Sequence, residues 1–445
     1  MKLSIIILCF CSAHFGFSQN TTLDSLTAKE AVFVALKNNY SVQISNAQQK
    51  IAEKNNTWSE AGMFPTVSLN VSANTAIQDN TNNPFTFTPG VILSSSLSPN
   101  LSMNMNLFSG MAVRISKKRL EQLEEQSKGN ALMVIESTIL EVLKSYYQSV
   151  AQREKLDLLY EMKSNAFQRF KYYDIKKDIG TATTLEELQF KNLYLADSIN
   201  FQVQKISYEN SLRNLFLLMN IPFDMEATPF LSDALEIAFP IIDFNELATG
   251  LPTSNQELKN QYLALELQRT NTAFQKSFLY PTLSLQGGIT PSRSSFRDLN
   301  DPNLQMNTEV MVYNGGVNLR YNLFNNWKNK RAVEASKIQE SIVSLSYDRM
   351  RKSLENTLQS MILTYKGNSD LVELSKQNLN YSKEAWRLAE KRFELGGLNS
   401  VELINFKNTF ENQSIQYFEF IFTKINTFLD LYKVTGKLRL SYTNP

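Results

Sequence analysis

FPTVSLN at Phe64–Asn70 and YPTLSLQ at Tyr280–Gln286 repeat one phrase 216 residues apart: an aromatic residue, Pro-Thr, any residue, then Ser-Leu. After each proline, apolar and polar residues alternate, which is the pattern of a β-strand with one apolar and one polar face. The repeat predicts that two related halves of the chain each contribute a β-hairpin that begins with this strand.

The same offset links further short matches along the chain. It maps Asn106–Phe108 onto Asn322–Phe324, the sequence Asn-Leu-Phe in both places. It also maps Asn220 onto Gly436, and both residue types accept the left-handed conformation that ends a helix. One offset that holds over such distances predicts a duplication of about 200 residues, which is a domain duplication and not a solenoid.

The alternation continues through two predicted hairpins, at about 65–108 and about 281–324. By itself, this pattern fits an ordinary half-buried sheet in a soluble protein. Segments of about ten residues, an export signal and flanking aromatic residues favour membrane strands, with the Ser- and Asn-rich face toward water. The aromatic residues that we assign to the membrane interface are Phe64, Phe108, Tyr280, Phe324 and Trp327.

Residues 1–18 have the pattern of a secretory signal peptide: a positive start, an apolar run and small residues before the cleavage site. Cys9, Cys11 and the one histidine, His14, all lie in this segment. Its removal excludes Cys–His or Ser–His catalysis, haem ligation by His or Cys, and zinc sites of the N/S type. A carboxylate-only site is the remaining alternative; we expect no enzyme, no metal and no cofactor. Lipidation of Cys11 is an alternative, which bulky Phe10 disfavours.

Two tracts without proline, 100–221 and 303–444, carry apolar residues three and four apart, so each half is expected to contain long helices. Segment 221–255 contains four prolines and is predicted to be a linker. The predicted organisation is a signal peptide at 1–18, a first repeat at 19–220 with a turn near 180, the linker, and a second repeat at 256–445 with a turn near 396. In the first repeat, the expected helices lie at about 26–62, 110–179 and 185–219.

Four strands cannot close a membrane barrel, because the smallest such barrels have about eight. The chain is therefore expected to associate with copies of itself. Two copies or three copies both satisfy this condition, and the strand pattern does not choose between them.

The ordered set of features resembles the outer-membrane efflux protein (TolC) family. The residues that carry the resemblance are the two aromatic-Pro-Thr strand starts, the Asn-Leu-Phe strand ends, LGGLNSVELINFKN at Leu395–Asn408 and LDLYKVTGKL at Leu429–Leu438. Each motif is weak alone, but their order is specific and covers essentially the whole mature chain.

The resemblance implies a mainly α fold with a β-barrel part. Long antiparallel helical hairpins would form an α-barrel tunnel, and four strands per chain would contribute to a twelve-stranded outer-membrane β-barrel of a homotrimer. It implies a passive exit duct of a tripartite efflux pump or type I secretion system in the outer membrane of a Gram-negative bacterium, extending into the periplasm. The implied partners are a periplasmic adaptor (membrane fusion) protein and an inner-membrane transporter.

In the family, the helix turns farthest from the membrane form the tunnel tip and receive the adaptor. The matching residues are Gly180, Thr181, Ala182, Gly396, Gly397 and Leu398. A simple chain reversal between two helices also requires glycine there, and the two roles coexist.

Just beyond the tip, the family places two acidic residues three apart that ring a constriction and bind cations. The matching positions are Glu402 and Asn405, so the second carboxylate is absent and the sequence departs from the family's pattern for a strong cation gate. The first half repeats the acid-then-amide pattern with Glu186 and Gln189. The alternative is that both glutamates sit early in a helix, where an acid suits the helix dipole.

Basic residues follow each hairpin, where positive charge at a helix start opposes the helix dipole. Phosphate groups of outer-membrane lipid would balance these positive charges. The alternative is that the residues lie on a solvated helix face and are supported by nearby glutamates. The residues are Arg114, Lys117, Lys118, Arg119, Lys328, Lys330 and Arg331.

Two other functional classes remain to be compared with the duct. A secreted periplasmic coiled-coil scaffold or adaptor without channel activity would have a soluble sheet. An exported enzyme would need a polar constellation that the mature chain does not offer. The 45 basic and 43 acidic residues nearly balance, and we therefore expect no nucleic-acid partner.

Overall fold

The computed structural model describes residues 25–86, 89–224, 229–236, 244–301 and 303–439. The expected signal peptide, with Cys9, Cys11 and His14, lies outside these residues. Most of the described chain is helical. In chain order, the elements are β1 Ser25–Leu26, α1 Ala28–Asn38, α2 Tyr40–Asn55, β2 Thr66–Asp79, β3 Val91–Ser109, α3 Ala112–Asp178, α4 Thr184–Met219, β4 Phe230–Leu231, α5 Phe244–Ser254, α6 Gln256–Ser277, β5 Thr282–Asp298, β6 Gln305–Arg320, α7 Lys328–Glu394 and α8 Ser400–Val434.

The described residues divide between two compact units. One contains residues of 25–38, 141–236 and 367–426, and is called the helical unit below. The other contains residues of 39–140, 244–366 and 427–439, and is called the sheet unit. Because α3 and α7 contribute residues to both, each predicted repeat is shared between the two units.

In the sheet unit, β2, β3, β5 and β6 form one antiparallel sheet in that order. Leu69 is opposite Leu101, which is opposite Ile289, which is opposite Tyr313. Side chains two apart along a strand share a face, so the predicted apolar positions within the strands lie on one face of the sheet as far as the register shift after Asn106 in β3.

The opposite face carries polar side chains that bond across the junction between the two hairpins. Ser98 Oγ lies 2.9 Å from Ser292 Oγ, and Asn100 Nδ2 donates to Thr290 Oγ1 at 2.6 Å. These bonds satisfy polar groups from strand to strand and add to the backbone ladder that joins β3 to β5.

The strands differ from the prediction in length and at one end. They have 14, 19, 17 and 16 residues, longer than the expected segments. Strand β6 ends at Arg320, so Asn322–Phe324 does not close the second hairpin as predicted. Arg320 is opposite Thr282, and the next partner along β5 would be Pro281, which has no N–H for the ladder.

The single helix expected at about 26–62 was wrong: the chain forms α1 and α2 with a break at Asn39. Asn39 has φ −63° and ψ 128°, and its side chain accepts a hydrogen bond from Ser41 N at 2.8 Å. An asparagine side chain bonded to a nearby backbone N–H replaces a helical bond, so one helix ends and the next begins.

The long helices form as the proline-free tracts predict. Helices α3 and α7 each have 67 residues, and α4 and α8 have 36 and 35. The match between Asn220 and Gly436 is confirmed, because both residues are left-handed, with φ of 52° and 67° at the ends of α4 and α8.

The core of the helical unit includes a clasp around the start of the described chain. Leu26 pairs in parallel with Leu231, and both are fully buried. The hydroxyl of Tyr146 donates to Leu26 O at 2.8 Å and accepts from Asp233 N at 3.3 Å. Asp233 Oδ2 in turn accepts from Ala28 N at 2.7 Å and so caps α1.

The sheet unit has a separate apolar cluster built from three helices. Leu247 and Leu251 of α5 are buried together with Leu358 of α7 and Leu431 of α8. Asn255 ends this arrangement: its side chain accepts from Leu258 N at 2.7 Å and donates to Val434 O at 2.8 Å. One side chain therefore caps α6 and ties it to the end of α8.

Tyr146→Phe should loosen the clasp by removing the hydroxyl that serves both Leu26 and Asp233. The expected cost is about 1 kcal/mol, the usual net contribution of a hydrogen bond, because Asp233 N loses the hydroxyl while Leu26 O still accepts from Ser232 N at 3.1 Å. Hydrogen exchange in α1 should accelerate in the variant, while Tyr160→Phe, at an exposed site, should leave it unchanged. Equal exchange in both variants would contradict this role of Tyr146.

Candidate functional site

The turn between α3 and α4, in the helical unit, is closed by backbone bonds to the end of α3. Gly180 has φ +74° and its N–H donates to Lys177 O at 2.9 Å. The N–H groups of Thr181 and Ala182 donate to Lys176 O at 2.8 and 3.2 Å. Only glycine adopts this φ without strain, so the turn depends on Gly180.

The turn between α7 and α8 repeats this geometry in the same unit. Gly396 also has φ +74°, and its N–H donates to Phe393 O at 3.0 Å. Gly397 N donates to Arg392 O at 2.8 Å, and Leu398 follows as a half-buried residue. The six residues predicted for the tip therefore all lie in two matched helix-to-helix turns.

Both predicted constriction glutamates cap their own helix. Thr183 Oγ1 accepts from Glu186 N at 3.2 Å, and Glu186 Oε2 accepts from Thr183 N at 2.8 Å. At the start of α8, Asn399 Oδ1 accepts from Glu402 N at 2.9 Å and Glu402 Oε2 accepts from Asn399 N at 3.1 Å. These reciprocal bonds form a capping box at each site, which is a structural role that each glutamate fulfils within one chain.

The capping bonds also set the charge of Glu186. The hydrogen bonds from the Thr183 backbone and hydroxyl hold the pKa of Glu186 below its ordinary value, and Lys176 acts in the same direction. Hydrogen bonds to the ionised form favour that form. Glu186 is therefore a stable negative charge beside the turn at neutral pH.

The two predicted amide positions have different surroundings. Gln189 Oε1 accepts from Ser400 Oγ at 2.7 Å, which joins α4 to the first residue of α8. Asn405 lies on α8 with its side chain exposed. Of the four predicted constriction residues, Gln189 is thus the one whose described side-chain bond links the two helical hairpins.

Farther from the turns, a buried ionic cluster joins the same two hairpins. Lys407 Nζ of α8 lies 2.6 Å from Asp197 Oδ1 of α4 and 2.6 Å from Glu411 Oε2 of its own helix. All three residues are buried. Two carboxylates share one ammonium group, so the cluster carries a net negative charge when both are ionised.

Asp197 is the member of this cluster whose carboxylate has an oxygen without a hydrogen bond. Its Oδ2 is buried and accepts no hydrogen bond from the described residues. A small cavity adjoins it, whose lining includes Arg169 of α3 and Glu390 of α7, which pair with each other at 2.8 Å. Burial raises the pKa of Asp197, and Lys407 only partly offsets this effect.

Sequence reasoning missed this cluster because the duplication does not repeat it. The 216-residue offset maps Lys191 onto Lys407, yet Lys191 is exposed and Lys407 is buried. The available signal was position: Lys407 follows buried Leu403 by four residues and precedes buried Ser414 by seven, on the apolar stripe of α8. A charged residue on such a stripe indicates a buried ion pair.

In the sheet unit, the predicted interface aromatics gather at one end of the sheet. The register places Ser109 opposite Thr282 and Thr282 opposite Arg320. The end of β3, the start of β5 and the end of β6 therefore lie at the same edge of the sheet. All five predicted aromatic side chains lie near this end and are exposed, namely Phe64, Phe108, Tyr280, Phe324 and Trp327.

The basic residues after the hairpins do not all have the same surroundings. Lys117 Nζ donates to Asn56 Oδ1 at 2.5 Å and to Glu121 Oε1 at 2.8 Å, and its side chain is largely buried. For Lys117, the charge is therefore balanced by a nearby glutamate, which was the alternative to lipid phosphate. The other six residues of the two basic clusters are exposed or half-exposed.

No helix in the described ranges combines the length and the apolar character needed to cross a membrane. Among the same residues, no three His, Cys, Asp or Glu side chains are grouped so that they could hold a metal ion.

Comparison with known proteins identifies a family. The model of the family described as "Outer membrane efflux protein" matches residues 32–220 and 251–437. These two segments correspond to the two halves that the sequence offset defines. The search of curated proteins gave no match.

The matches to solved structures with the same fold extend over 92% of this chain. The CmeC outer membrane channel of Campylobacter jejuni is similar with a TM-score of 0.74, 16% identity and 85% of its own chain covered. A membrane protein from Pseudomonas aeruginosa is similar with a TM-score of 0.76, 15% identity and 92% of its own chain covered. The open state of the MtrE outer membrane channel of Neisseria gonorrhoeae is similar with a TM-score of 0.71, 17% identity and 89% of its own chain covered. At these identities the likeness establishes the fold.

Asp197→Asn should stabilise the protein at neutral pH, because the cluster becomes neutral while Lys407 keeps Glu411. The gain should be on the order of 1 kcal/mol, because burial no longer penalises a second negative charge while the amide oxygen still accepts from Lys407 Nζ. The folded protein binds a proton at Asp197 more tightly than the unfolded chain does. The difference from wild type should therefore be present above the raised pKa and vanish as the pH falls through it.

Thermal unfolding of the detergent-solubilised protein, followed by circular dichroism from pH 8 to pH 4, measures this difference. Asp370→Asn, at an exposed site on α7, is the matched control and should follow the wild-type pH dependence. A loss of stability in Asp197→Asn at neutral pH would show that the ionised Asp197 stabilises the fold.

Proposed function

The chain belongs to the outer membrane efflux protein family, and from this premise we propose that it forms a trimeric channel, the passive exit duct of a tripartite efflux pump or type I secretion system. The protein is located in the outer membrane, and its family consists of channel proteins and not enzymes. The observation that carries the proposal is the sheet, whose two faces and two edges have distinct properties.

The apolar face of the sheet suits contact with lipid. Val67, Leu69 and Val71 on β2 and Val317 and Leu319 on β6 are each more than three-fifths exposed. A patch of this kind is rare on a protein surrounded by water, whereas lipid-facing positions of membrane strands have this character. The opposite face, with its Ser, Asn and Thr side chains, is suited to line water.

The edges of the sheet support association of identical chains. Strands β2 and β6 are the two ends of the strand order, so each has one side without a partner strand among the described residues. Unpaired backbone groups cannot be left in lipid. Pairing of β2 of one chain with β6 of the next closes the sheet, and three chains supply twelve strands.

An exposed apolar stripe on α4 also supports the trimer. Six apolar side chains, each at least half exposed, lie within about a quarter of the helix circumference at 3.6 residues per turn. In the trimer, a helix of the neighbouring chain covers them. The residues are Leu185, Leu188, Leu195, Ile199, Val203 and Ile206.

The two helix turns give the duct its far end. In this proposal, Gly180–Ala182 and Gly396–Leu398 lie in the periplasm and contact the adaptor protein, which connects the duct to an inner-membrane transporter. Glu402 and Asn405, with Glu186 and Gln189, line the narrowest part. Their capping and linking bonds hold the turn geometry, and the ionised carboxylate of Glu186 adds negative charge there.

Single-channel recording from the purified protein in a planar bilayer tests the channel. We expect stable, small, cation-preferring current steps. Glu402→Gln keeps an oxygen for the capping bond to Asn399 and removes the charge, so the reversal potential in a salt gradient should move toward zero. Glu373→Gln, at an exposed site on α7, should retain the wild-type preference.

Equal shifts in the two variants, or none, would remove Glu402 from the constriction while leaving the channel intact. Absence of current from a protein that stays in solution without detergent would contradict the channel itself. That result would favour the periplasmic coiled-coil scaffold.

A further inference from the structure

The two junctions between sheet and long helix share an uncommon backbone conformation. Gly110 and Met111 have φ of 61° and 70°, and Asn326 and Trp327, 216 residues later, have φ of 54° and 58°. A left-handed methionine or tryptophan is strained, because its Cβ crowds the backbone. Such strain persists where the surroundings hold it, and it directs attention to the function of the residue.

The strained residues are exposed at the end of the apolar sheet face. Met111 and Trp327 are 55% and 59% exposed. Met111 lines an open groove together with Met105 of the apolar face of β3, with Leu107 at the register shift in β3, and with Arg114. The groove thus combines an apolar floor with one cation.

The second junction repeats this order of chemistry. The offset maps Leu107 onto Leu323, Met111 onto Trp327 and Arg114 onto Lys330. Lys330 Nζ lies 4.9 Å from the centroid of the Trp327 ring, and the Phe324 ring lies 5.8 Å from the same ring. Each junction therefore presents apolar groups at the strand end, a strained apolar residue, and a cation three residues later.

Basic residues outnumber acidic ones near both junctions, and exposed Glu334 lies one helical turn beyond Lys330. In the described chain, no carboxylate pairs with Arg114, Lys330 or the neighbouring exposed cations. Glu121 is paired with Lys117, and Glu124 Oε2 accepts from Asn56 at 2.5 Å, so two nearby carboxylates are already bonded. The neighbouring exposed cations are Lys118, Arg119, Lys328 and Arg331.

We propose that each junction binds an anionic glycerophospholipid of the outer membrane. The side chain of Met111 or Trp327 packs against the upper part of the acyl chains, and Arg114 or Lys330 contacts the phosphate. Tryptophan favours this depth because its ring is apolar and its N–H is polar, and long basic side chains extend from apolar surface to the headgroups. The strained backbone positions both groups on the same side.

Charge complementarity selects lipid over a second copy of the chain as the occupant. A neighbouring copy would bring the same basic clusters to the same level and place like charges together. An anionic headgroup brings the opposite charge, and each basic residue near such a surface strengthens binding about fivefold. The proposal rests on the outer-membrane location and does not require the channel to conduct.

Fluorescence of Trp327 tests the site in the full chain. The protein has three tryptophans, so Trp58→Phe with Trp386→Phe leaves Trp327 as the only one. The protein is reconstituted in vesicles of phosphatidylcholine that contain a minor fraction of brominated phosphatidylglycerol, or the same fraction of brominated phosphatidylcholine. We expect stronger quenching by the brominated phosphatidylglycerol.

Lys330→Gln should lower this headgroup preference about fivefold, and Lys330→Arg should keep it. Lys352→Gln is the matched control, because Lys352 is exposed on α7 about 33 Å farther along the helix at 1.5 Å per residue. Equal quenching by the two lipids, or an unchanged preference in Lys330→Gln, would overturn the proposal. Absence of quenching by either lipid would also overturn it, because a neighbouring chain would then cover Trp327.

Single-channel recording of wild type from the same preparation separates this result from the channel proposal. A protein that conducts but shows no headgroup preference contradicts only the lipid site. A protein that prefers the anionic lipid but does not conduct contradicts only the channel.

Discussion

The unpaired edges of the four-stranded sheet are the constraint on which the rest of the structure depends. In lipid, each free N–H and C=O must find a partner, and in the part of the chain that the structure describes β2 and β6 each have one side without a partner strand. An exposed apolar face makes the constraint stricter, because that face favours lipid over water. In the proposed channel, the chain therefore pairs with copies of itself, and its helices suit the same symmetry. The exposed stripe on α4 meets that need in the helical unit.

The two halves of the chain repeat the same arrangement of hairpin, long helix, turn and return helix. The two halves share the left-handed pairs at Gly110–Met111 and Asn326–Trp327 and the glycine turns at Gly180 and Gly396. They differ where the helical hairpins meet: Lys407 is buried between Asp197 and Glu411, whereas its counterpart Lys191 is exposed. Repeated features thus lie at turns and junctions, and the features unique to one half lie in the packing between halves.

Much of the fold follows from local rules that the sequence displays. Alternation after Pro65 and Pro281 predicts the strands, and proline-free periodic tracts predict α3, α4, α7 and α8. Failures occur where one side chain or one missing N–H decides: Asn39 divides the first helix, and Pro281 ends the ladder opposite β6. The Asp197 cluster was only partly predictable. Periodicity places Lys407 on the apolar stripe of α8, but its pairing with Asp197 depends on which helix faces which, and the pattern along one helix does not contain that information.

Symmetry of the assembled particle is the most direct test of the account. An electron cryo-microscopy map of the purified protein in detergent would locate every strand edge. The account predicts three chains around one axis, with β2 of each chain paired to β6 of the next in a closed barrel of twelve strands. A particle with one or two chains, or a sheet whose β2 and β6 edges remain open, would contradict it.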